Sequence, residues 1–409
     1  MAKERLSNDG RAVWGEKGPR VAIIEGRNSD WSKENTAFQP PGEQILWYDR
    51  YLDRLDDAYD ALLALVKAPK FRRLTAIVIC ATILTWSMWT KVVWPWIEEE
   101  RAAWDIYNTQ ESGEKTQFGV NAHPHLGLIQ TEELDPKYLP GGAKADKSRR
   151  LIFIGDIHGC HKELLELLIK AKYDHNRDHI ISVGDIVTKG PDSSGVIDFL
   201  MEQEASVVRG NHDDKLILIA EQRHKSKREG EMEAEHKKKH KKNTHEAIAH
   251  ALTKKQLKFM QSFPLILKVG QIKGIGEIVV VHAGLVPGVP LKSQDPASIM
   301  NMRSIDLRTH VPSKLHHGKH SRPWFSIWNK FQRLQKYWKN SKDRTSHQPL
   351  TVVYGHDARM GLQVSKYSKG LDSNCARGGH LTALVVDEHG KQKIVQVSCK
   401  KDYTVDSEA

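Results

Sequence analysis

The sequence predicts an α/β domain built on a parallel sheet and preceded by one membrane-spanning helix. Three observations carry that prediction. From residue 151 onward, short apolar runs alternate with amphipathic stretches. Several of those runs end in glycine-flanked polar signatures. Ahead of them, residues 74–90, LTAIVICATILTWSMWT, hold no charge.

The N-terminal 45 residues or so are polar and rich in Gly, Asn, Ser and Pro, a composition that buries too little apolar surface to order itself. Residues 47–68 have helical periodicity and suit either the cytosolic membrane face or an extension of the anchor. After Lys91 the apolar run resumes as VVWPWI, so residues 74–97 reach the roughly 20 needed to cross a bilayer, with Lys91 snorkelling. Trp86, Trp89, Trp94 and Trp96 gather toward one end, as interfacial aromatics do. A buried core helix is the competing reading. The segment begins too far from Met1 to be a signal peptide. Lys67, Lys70, Arg72 and Arg73 precede it and Glu98, Glu99 and Glu100 follow it. Basic residues stay on the cytosolic side, so residues 1–73 are expected there and everything after the span across the membrane. Residues 98–150 read as a linker.

The domain proper is expected over 151–409. LIFI (151–154) reads as a buried strand, HKELLELLIKAK (161–172) as an amphipathic helix and HIISV (179–183) as a strand. SGVIDFLMEQE (194–204) follows as a helix and ASVV (205–208) as a third strand. This alternation implies crossover units and a parallel sheet. EIVVVH (277–282), LTVVYGH (350–356), LTALVVD (381–387) and KIVQVS (393–398) supply further strands. RPWFSIWNKFQRLQKYWK (322–339) reads as an amphipathic helix packing on the domain, or else as a basic, aromatic groove. A basic insertion over 223–245 contains HKKKHKK: either a solvated loop or a funnel for a polyanion, strengthened when its histidines charge. The net charge of +11 favours polyanionic partners in the same way. Four cysteines make no disulfide framework but leave room for one bridge.

Five strand ends carry the chemistry. GDIHG follows LIFI and supplies Asp156 and His158; GDIVTKG follows HIISV and supplies Asp185. RGNHDD follows ASVV and supplies Asn211, His212 and Asp213. Two more apolar runs end in His282 and His356. Ligands of parallel sheets bind outside the carboxyl ends of the strands, where these side chains converge. The nitrogen and oxygen donors, without thiolate, suit Zn, Mn, Fe or Co. Asp156 and His158 can hold one ion, Asn211, His282 and His356 a second, and Asp185 can bridge them. Paired ions about 3.5–4 Å apart clamp the attacking and leaving oxygens of a displacement and lower the pKa of a bound water. That is the chemistry of phosphate ester or anhydride hydrolysis.

In this order GDIHG, GDIVTKG, GNHD, HAG and GH resemble the calcineurin-like metallophosphatases of the phosphoprotein-phosphatase superfamily, over residues 151–398. The resemblance implies an αββα double-sheet sandwich, the six ligands just named, and His212 as the acid that protonates the leaving oxygen. The superfamily's protein phosphatases read GDxVDRG, whose second Asp orients that histidine and whose Arg grips phosphate. Thr188 and Lys189 stand at those places, so the orienting carboxylate is missing; lysine keeps the charge but not the fork of arginine. Asp213 is a candidate to support His212 instead, or else to play a purely structural role; Arg303 is a candidate to contact a phosphate oxygen, or else to form a surface salt bridge. GDIVTKGP, YGHDARMGLQ and GLDSNCARGGHLTALVV are similar to the ApaH-like branch, whose substrates are phosphoanhydrides. Within it, the anchor and basic composition resemble the vacuolar zinc-dependent endopolyphosphatases of fungi. The resemblance thus implies a single-pass, type II protein of the vacuolar membrane with its catalytic domain in the lumen. Its cofactors would be two divalent ions, zinc first and manganese or cobalt as alternatives. Its substrate would be inorganic polyphosphate, with no stable nucleic-acid partner. The alternative is a dinucleoside polyphosphate or mRNA-cap pyrophosphohydrolase; Thr188 and Lys189 disfavour a protein Ser/Thr phosphatase.

Overall fold

The structure, a computed structural model, describes residues 47–111, 127–141, 149–228, 245–337 and 349–403. The run HKKKHKK and the polar N-terminal 46 residues lie outside the described residues. Two compact units divide at Ala81 and Thr82, inside one helix.

In the first unit, α1 (Trp47–Lys67) leaves Tyr51, Leu52, Leu55, Tyr59, Leu62 and Val66 exposed along one stripe. The dividing helix is α2 (Pro69–Met88), which buries no residue. Leu74, Ile77, Val78, Ile83 and Leu84 stand exposed along it. The helical stretch 69–108 is long and apolar enough to cross a membrane by length and composition.

The second unit holds two large sheets, in most of whose strands buried side chains alternate between the two faces. One sheet has the order β14 (Gln392–Ser398), β13 (His380–Val386), β2 (Arg150–Ile154), β3 (Asp178–Ser182), β4 (Ser206–Val207). The other has the order β1 (Ile129–Glu133), β5 (Pro264–Ile272), β6 (Gly276–Val281), β10 (Leu350–Tyr354), β12 (Ser368–Gly370), β11 (Gln363–Val364). Leu151 and Phe153 of β2 share a core between the sheets with Ile278 and Val280 of β6 and Val353 of β10. The alternate residues Ile152 and Ile154 face outward onto helices. Apolar side chains on both faces explain why β2 reads as an unbroken apolar run.

On that outer face, α4 (His161–Ala171), α5 (Ser193–Glu202), α6 (Asn211–Arg228), α7 (His245–Ala251) and α8 (Lys254–Gln261) contribute Leu164, Leu167, Val196, Leu216, Ala249 and Met260 to one core. Burying each leucine contributes roughly 1.5–3 kcal/mol. The outer face of the second sheet packs against α3 (Trp94–Glu111), α9 (Pro296–Asn301) and α10 (Trp324–Tyr337) through Ile106, Ile299, Trp324, Ile327 and Trp328. A small third sheet, β8 (Pro312–Ser313), β7 (Ser304–Asp306), β9 (Ser321–Pro323), adjoins them in sequence.

Three expectations change. The sheets are mixed rather than parallel: β13 runs antiparallel to β2, and β5 with β6 forms an antiparallel hairpin. Residues 98–150 are not merely a linker, since they contain most of α3 and also β1, which pairs parallel to β5. Its sequence IQTEE is polar because it is an edge strand, which hid it from a search for apolar runs. Finally, α10 is the packed amphipathic helix and not a basic groove. Arg322 pairs with Glu98 at 3.4 Å, Lys330 with Glu99 at 2.9 Å and Arg333 with Glu100 at 2.8 Å. The acidic triplet after the apolar stretch therefore has a packing role, and only the four upstream basic residues speak to orientation. Cys375 and Cys399 form a disulfide, while Cys80 and Cys160 are free thiols.

Candidate metal centre and active site

The polar signatures converge because the loops after β2, β3, β4, β6 and β10 are bonded to one another. The His158 amide donates to Asp185 O (2.9 Å), Gly159 N to Ile186 O (2.9 Å) and Gly190 N to His158 O (2.7 Å). The His356 amide donates to Asp156 Oδ1 at 3.1 Å, and the His212 amide to Asp185 Oδ1 at 2.8 Å. Gly210 and Gly355 permit this closeness: a Cβ on either would overlap the Asp185 or Asp156 carboxylate. His158, Asp185, Thr188, Lys189 and His356 hold φ between 47° and 70°. Left-handed backbone is costly for non-glycine residues, above all for β-branched threonine, and such strain gathers at functional sites.

Asp185 Oδ2 sits between two donor groups. It lies 3.7 Å from His158 Nε2 and 3.3 Å from His282 Nε2. Potential ligand atoms of His158, Asp185 and His212 lie within 4.8 Å of one another, and so do those of Asp185, His282 and His356. Asp156 Oδ2 is 4.0 Å from His158 Nε2, and Asn211 Oδ1 is 3.1 Å from His282 Nε2. All six expected ligands are therefore together, and all but Asn211 are buried.

The donors fit divalent ions on two counts. Each histidine holds one ring nitrogen against a backbone carbonyl: His158 Nδ1 to Val187 O (3.1 Å), His282 Nδ1 to Val183 O (2.9 Å), His356 Nε2 to Asn301 O (3.2 Å). A ring N–H spent on a carbonyl leaves the other nitrogen's lone pair for a metal. The charges agree. Burial, then the Asp372 and Asp185 charges, pushes Asp156 well above the usual carboxylate range. Burial works against charge on Asp185 too, yet His282, His212 and His158 hold it well below. His282 is drawn up to about 10 against its own burial, chiefly by Asp185. Burial and Lys189 keep His158 low; burial and His282 do the same for His356. Divalent cations supply the charge that lets such buried carboxylates ionise together. Chelation of the purified protein is accordingly expected to lower its melting temperature by on the order of 10 °C. Calorimetry with and without zinc checks this, and an unchanged transition would remove the metals from these donors.

The second motif behaves differently from expectation. Lys189 Nζ lies 2.7 Å from His158 Nε2, in the cavity wall. Thr188 Oγ1 lies 3.0 Å from His212 Nδ1. Asp213 does not support His212. Its carboxylate instead accepts from the Asp185 amide (2.8 Å), the Ile186 amide (3.1 Å) and the Gly210 amide (3.0 Å). Its role is to clamp the β3 and β4 loops together, and burial with the Asp185 charge pushes it up to about 7. Burial also pushes His212 down to about 4, with Asp185 opposing. Arg303 lines the cavity, 3.9 Å from Asp357 Oδ1, and donates to Lys314 O at 3.0 Å.

The cavity wall adds His316, Asp357, Arg359, Asp372, Asn374 and Arg377. Five of these lie in the segments YGHDARMGLQ and GLDSNCARGGHLTALVV, where membership of a motif was a signal. Another residue, His245, meets His212 Nδ1 at 3.2 Å and has no local signal at all.

Comparison with known proteins agrees with this geometry. The family model for calcineurin-like phosphoesterases matches residues 149–372. The chain is 26% identical over 282 residues to the symmetrical bis(5'-nucleosyl)-tetraphosphatase of Nitrosospira multiformis, covering 60% of this chain and 94% of that protein. It is 28% identical over 282 residues to the zinc-dependent endopolyphosphatase of Saccharomyces cerevisiae, covering 62% and 82%. Likeness to serine/threonine-protein phosphatase 1 of Salmonella typhimurium is local: 40% over 74 residues, 18% of this chain and 34% of that protein. The match spans the converging loops and more than half of the sequence, so this chain is an enzyme of the calcineurin-like phosphoesterase family, whose members use a dinuclear metal centre.

Proposed function

We propose that this protein hydrolyses phosphoanhydride bonds, with linear inorganic polyphosphate as its substrate. The observation that carries the reading is Asp185 Oδ2, set between two histidine groups at the floor of a cavity walled by Lys189, Arg303, Arg359 and Arg377. A cationic wall suits a substrate that presents several phosphoryl groups in a row. The relatives named as a tetraphosphatase and an endopolyphosphatase support an anhydride, and the zinc-dependent one supports zinc.

Asp156, His158 and Asp185 would hold one ion; Asp185, Asn211, His282 and His356 would hold the other. When bound, the ions supply an activated water and charge that neutralises the phosphoryl oxygens. The residues do the rest. Lys189 and Arg303 hold non-bridging oxygens, and His212 delivers a proton to the departing phosphate oxygen. An anionic substrate beside His212 adds the charge that favours its imidazolium. Positioning and preset electrostatics supply most of the acceleration.

Residues 74–97 serve as the membrane anchor, with residues 1–73 cytosolic and the catalytic unit in the vacuolar lumen. The Cys375–Cys399 disulfide supports that placement, because such bonds persist in oxidising compartments.

A dinucleoside polyphosphate is the second reading, favoured by the tetraphosphatase relative, 94% of whose length is matched. Purified full-length protein with zinc, manganese or cobalt is offered long-chain polyphosphate, a dinucleoside tetraphosphate and a phosphopeptide. Polyphosphate is expected to exceed the phosphopeptide in kcat/KM by at least about tenfold. A faster phosphopeptide would overturn the anhydride reading, and a faster dinucleoside would transfer it to the second substrate.

A further inference from the structure

We infer that His245 is a positioning residue for the proton donor, orienting His212 in place of the carboxylate that Thr188 does not supply. This rests on the hydrolytic reading above and adds a residue to it. His245 opens α7 and lies 33 positions beyond His212 in the chain. Its Nε2 is 3.2 Å from His212 Nδ1. The two rings stack with centroids 5.2 Å apart and planes 13° from parallel. Thr188 Oγ1 approaches the same nitrogen at 3.0 Å. His212 Nδ1 is thus enclosed by two partners, and Nε2 is the nitrogen left to serve the cavity that His212 lines.

The proton balance requires an acceptor at Nδ1. As the anhydride bond breaks, the Nε2–H bond of the imidazolium breaks and an O–H bond forms on the leaving phosphate. His212 is left neutral, with its remaining proton on Nδ1. That N–H needs a lone pair facing it in both states, and a neutral imidazole nitrogen provides one. A hydroxyl alone is a weaker choice, because it can also turn and donate, which fixes the wrong tautomer. His245 Nε2 accepts when its own proton is on Nδ1. Its surroundings favour that neutral ring: burial and Lys215 lower it, as does Lys189, with Glu246 and Asp185 opposing. Asp213, the nearest carboxylate in sequence, is committed to three backbone amides. No other partner of His212 Nδ1 appears among the described residues.

The test uses the full-length, zinc-loaded protein and polyphosphate. His245→Ala is expected to lower kcat about 10- to 100-fold, with KM, zinc stoichiometry and melting temperature unchanged. Adding Thr188→Asp to His245→Ala restores a carboxylate at Nδ1 and is expected to recover most of the rate. His245→Gln, whose side-chain carbonyl can accept, should retain more rate than His245→Ala and guards against a simple folding failure. An unchanged kcat, a loss of zinc or stability that accounts for the rate, or no recovery with Thr188→Asp would overturn the inference. His212→Asn run in parallel separates the two levels. If it leaves kcat intact, the reading of His212 as proton donor falls and takes the inference with it. If it collapses kcat while His245→Ala does not, only the role of His245 is lost.

Discussion

Replacing Asp185 by Asn is expected to abolish turnover, lowering kcat by at least about 10³-fold, or about 4 kcal/mol of barrier. Asp185 Oδ2 stands 3.3 Å from His282 and 3.7 Å from His158, which places this oxygen between the two candidate donor groups. An amide keeps the shape and the Oδ1 that accepts the His212 amide, but it loses the negative charge. It also places donor hydrogens beside imidazoles whose lone pairs are needed. The fold should survive, because Asp213 still clamps the same loops through three backbone amides. Initial rates on polyphosphate, with zinc content measured alongside, check this. A rate near that of the wild type would remove the bridging role from Asp185.

Replacing Cys375 and Cys399 by Ser is the second large effect. The bridge closes a loop of 24 residues, which by chain entropy contributes about 3 kcal/mol. The melting temperature should fall by on the order of 10 °C, and reductant should act on the wild type in the same way. Function should suffer too, since Asp372, Asn374 and Arg377 reach the cavity from the segment that Cys375 ties to the end of β14. A raised KM for polyphosphate is therefore expected. Thermal unfolding with and without reductant measures the first effect, and steady-state kinetics the second. No response to reductant would mean the bridge is not formed, and the lumenal placement would lose its structural support.

Much of the site was legible because each motif is contiguous. GDIHG, GDIVTKG and GNHD each place a donor within a few residues of a strand that announces itself by apolar content. Glycine at 210 and 355 marks where carboxylate and backbone touch. Strands with two buried faces, such as β2 and β6, were visible for the same reason, whereas the polar edge strand β1 was not.

The errors fall where one stretch of chain meets another far away. Asp213 follows His212 directly, so adjacency suggested a partnership that the helical turn of α6 sends elsewhere. Glu98, Glu99 and Glu100 looked like a charged membrane flank until β9 supplied Arg322 and α10 supplied Lys330 and Arg333. Neither the Cys375–Cys399 pairing nor the approach of His245 to His212 leaves any local pattern.

The sequence by itself determined the donor set, the α/β alternation and the absence of an Asp-Arg pair at Thr188-Lys189. Those properties reside in residue type and short spacing, which the chain carries whatever its path. Only the tertiary structure decided which oxygen lies between the two donor groups, which carboxylate clamps rather than assists, and which imidazole faces His212. A distance of about 3 Å between side chains tens of residues apart is set by packing of whole layers, and no local pattern encodes it.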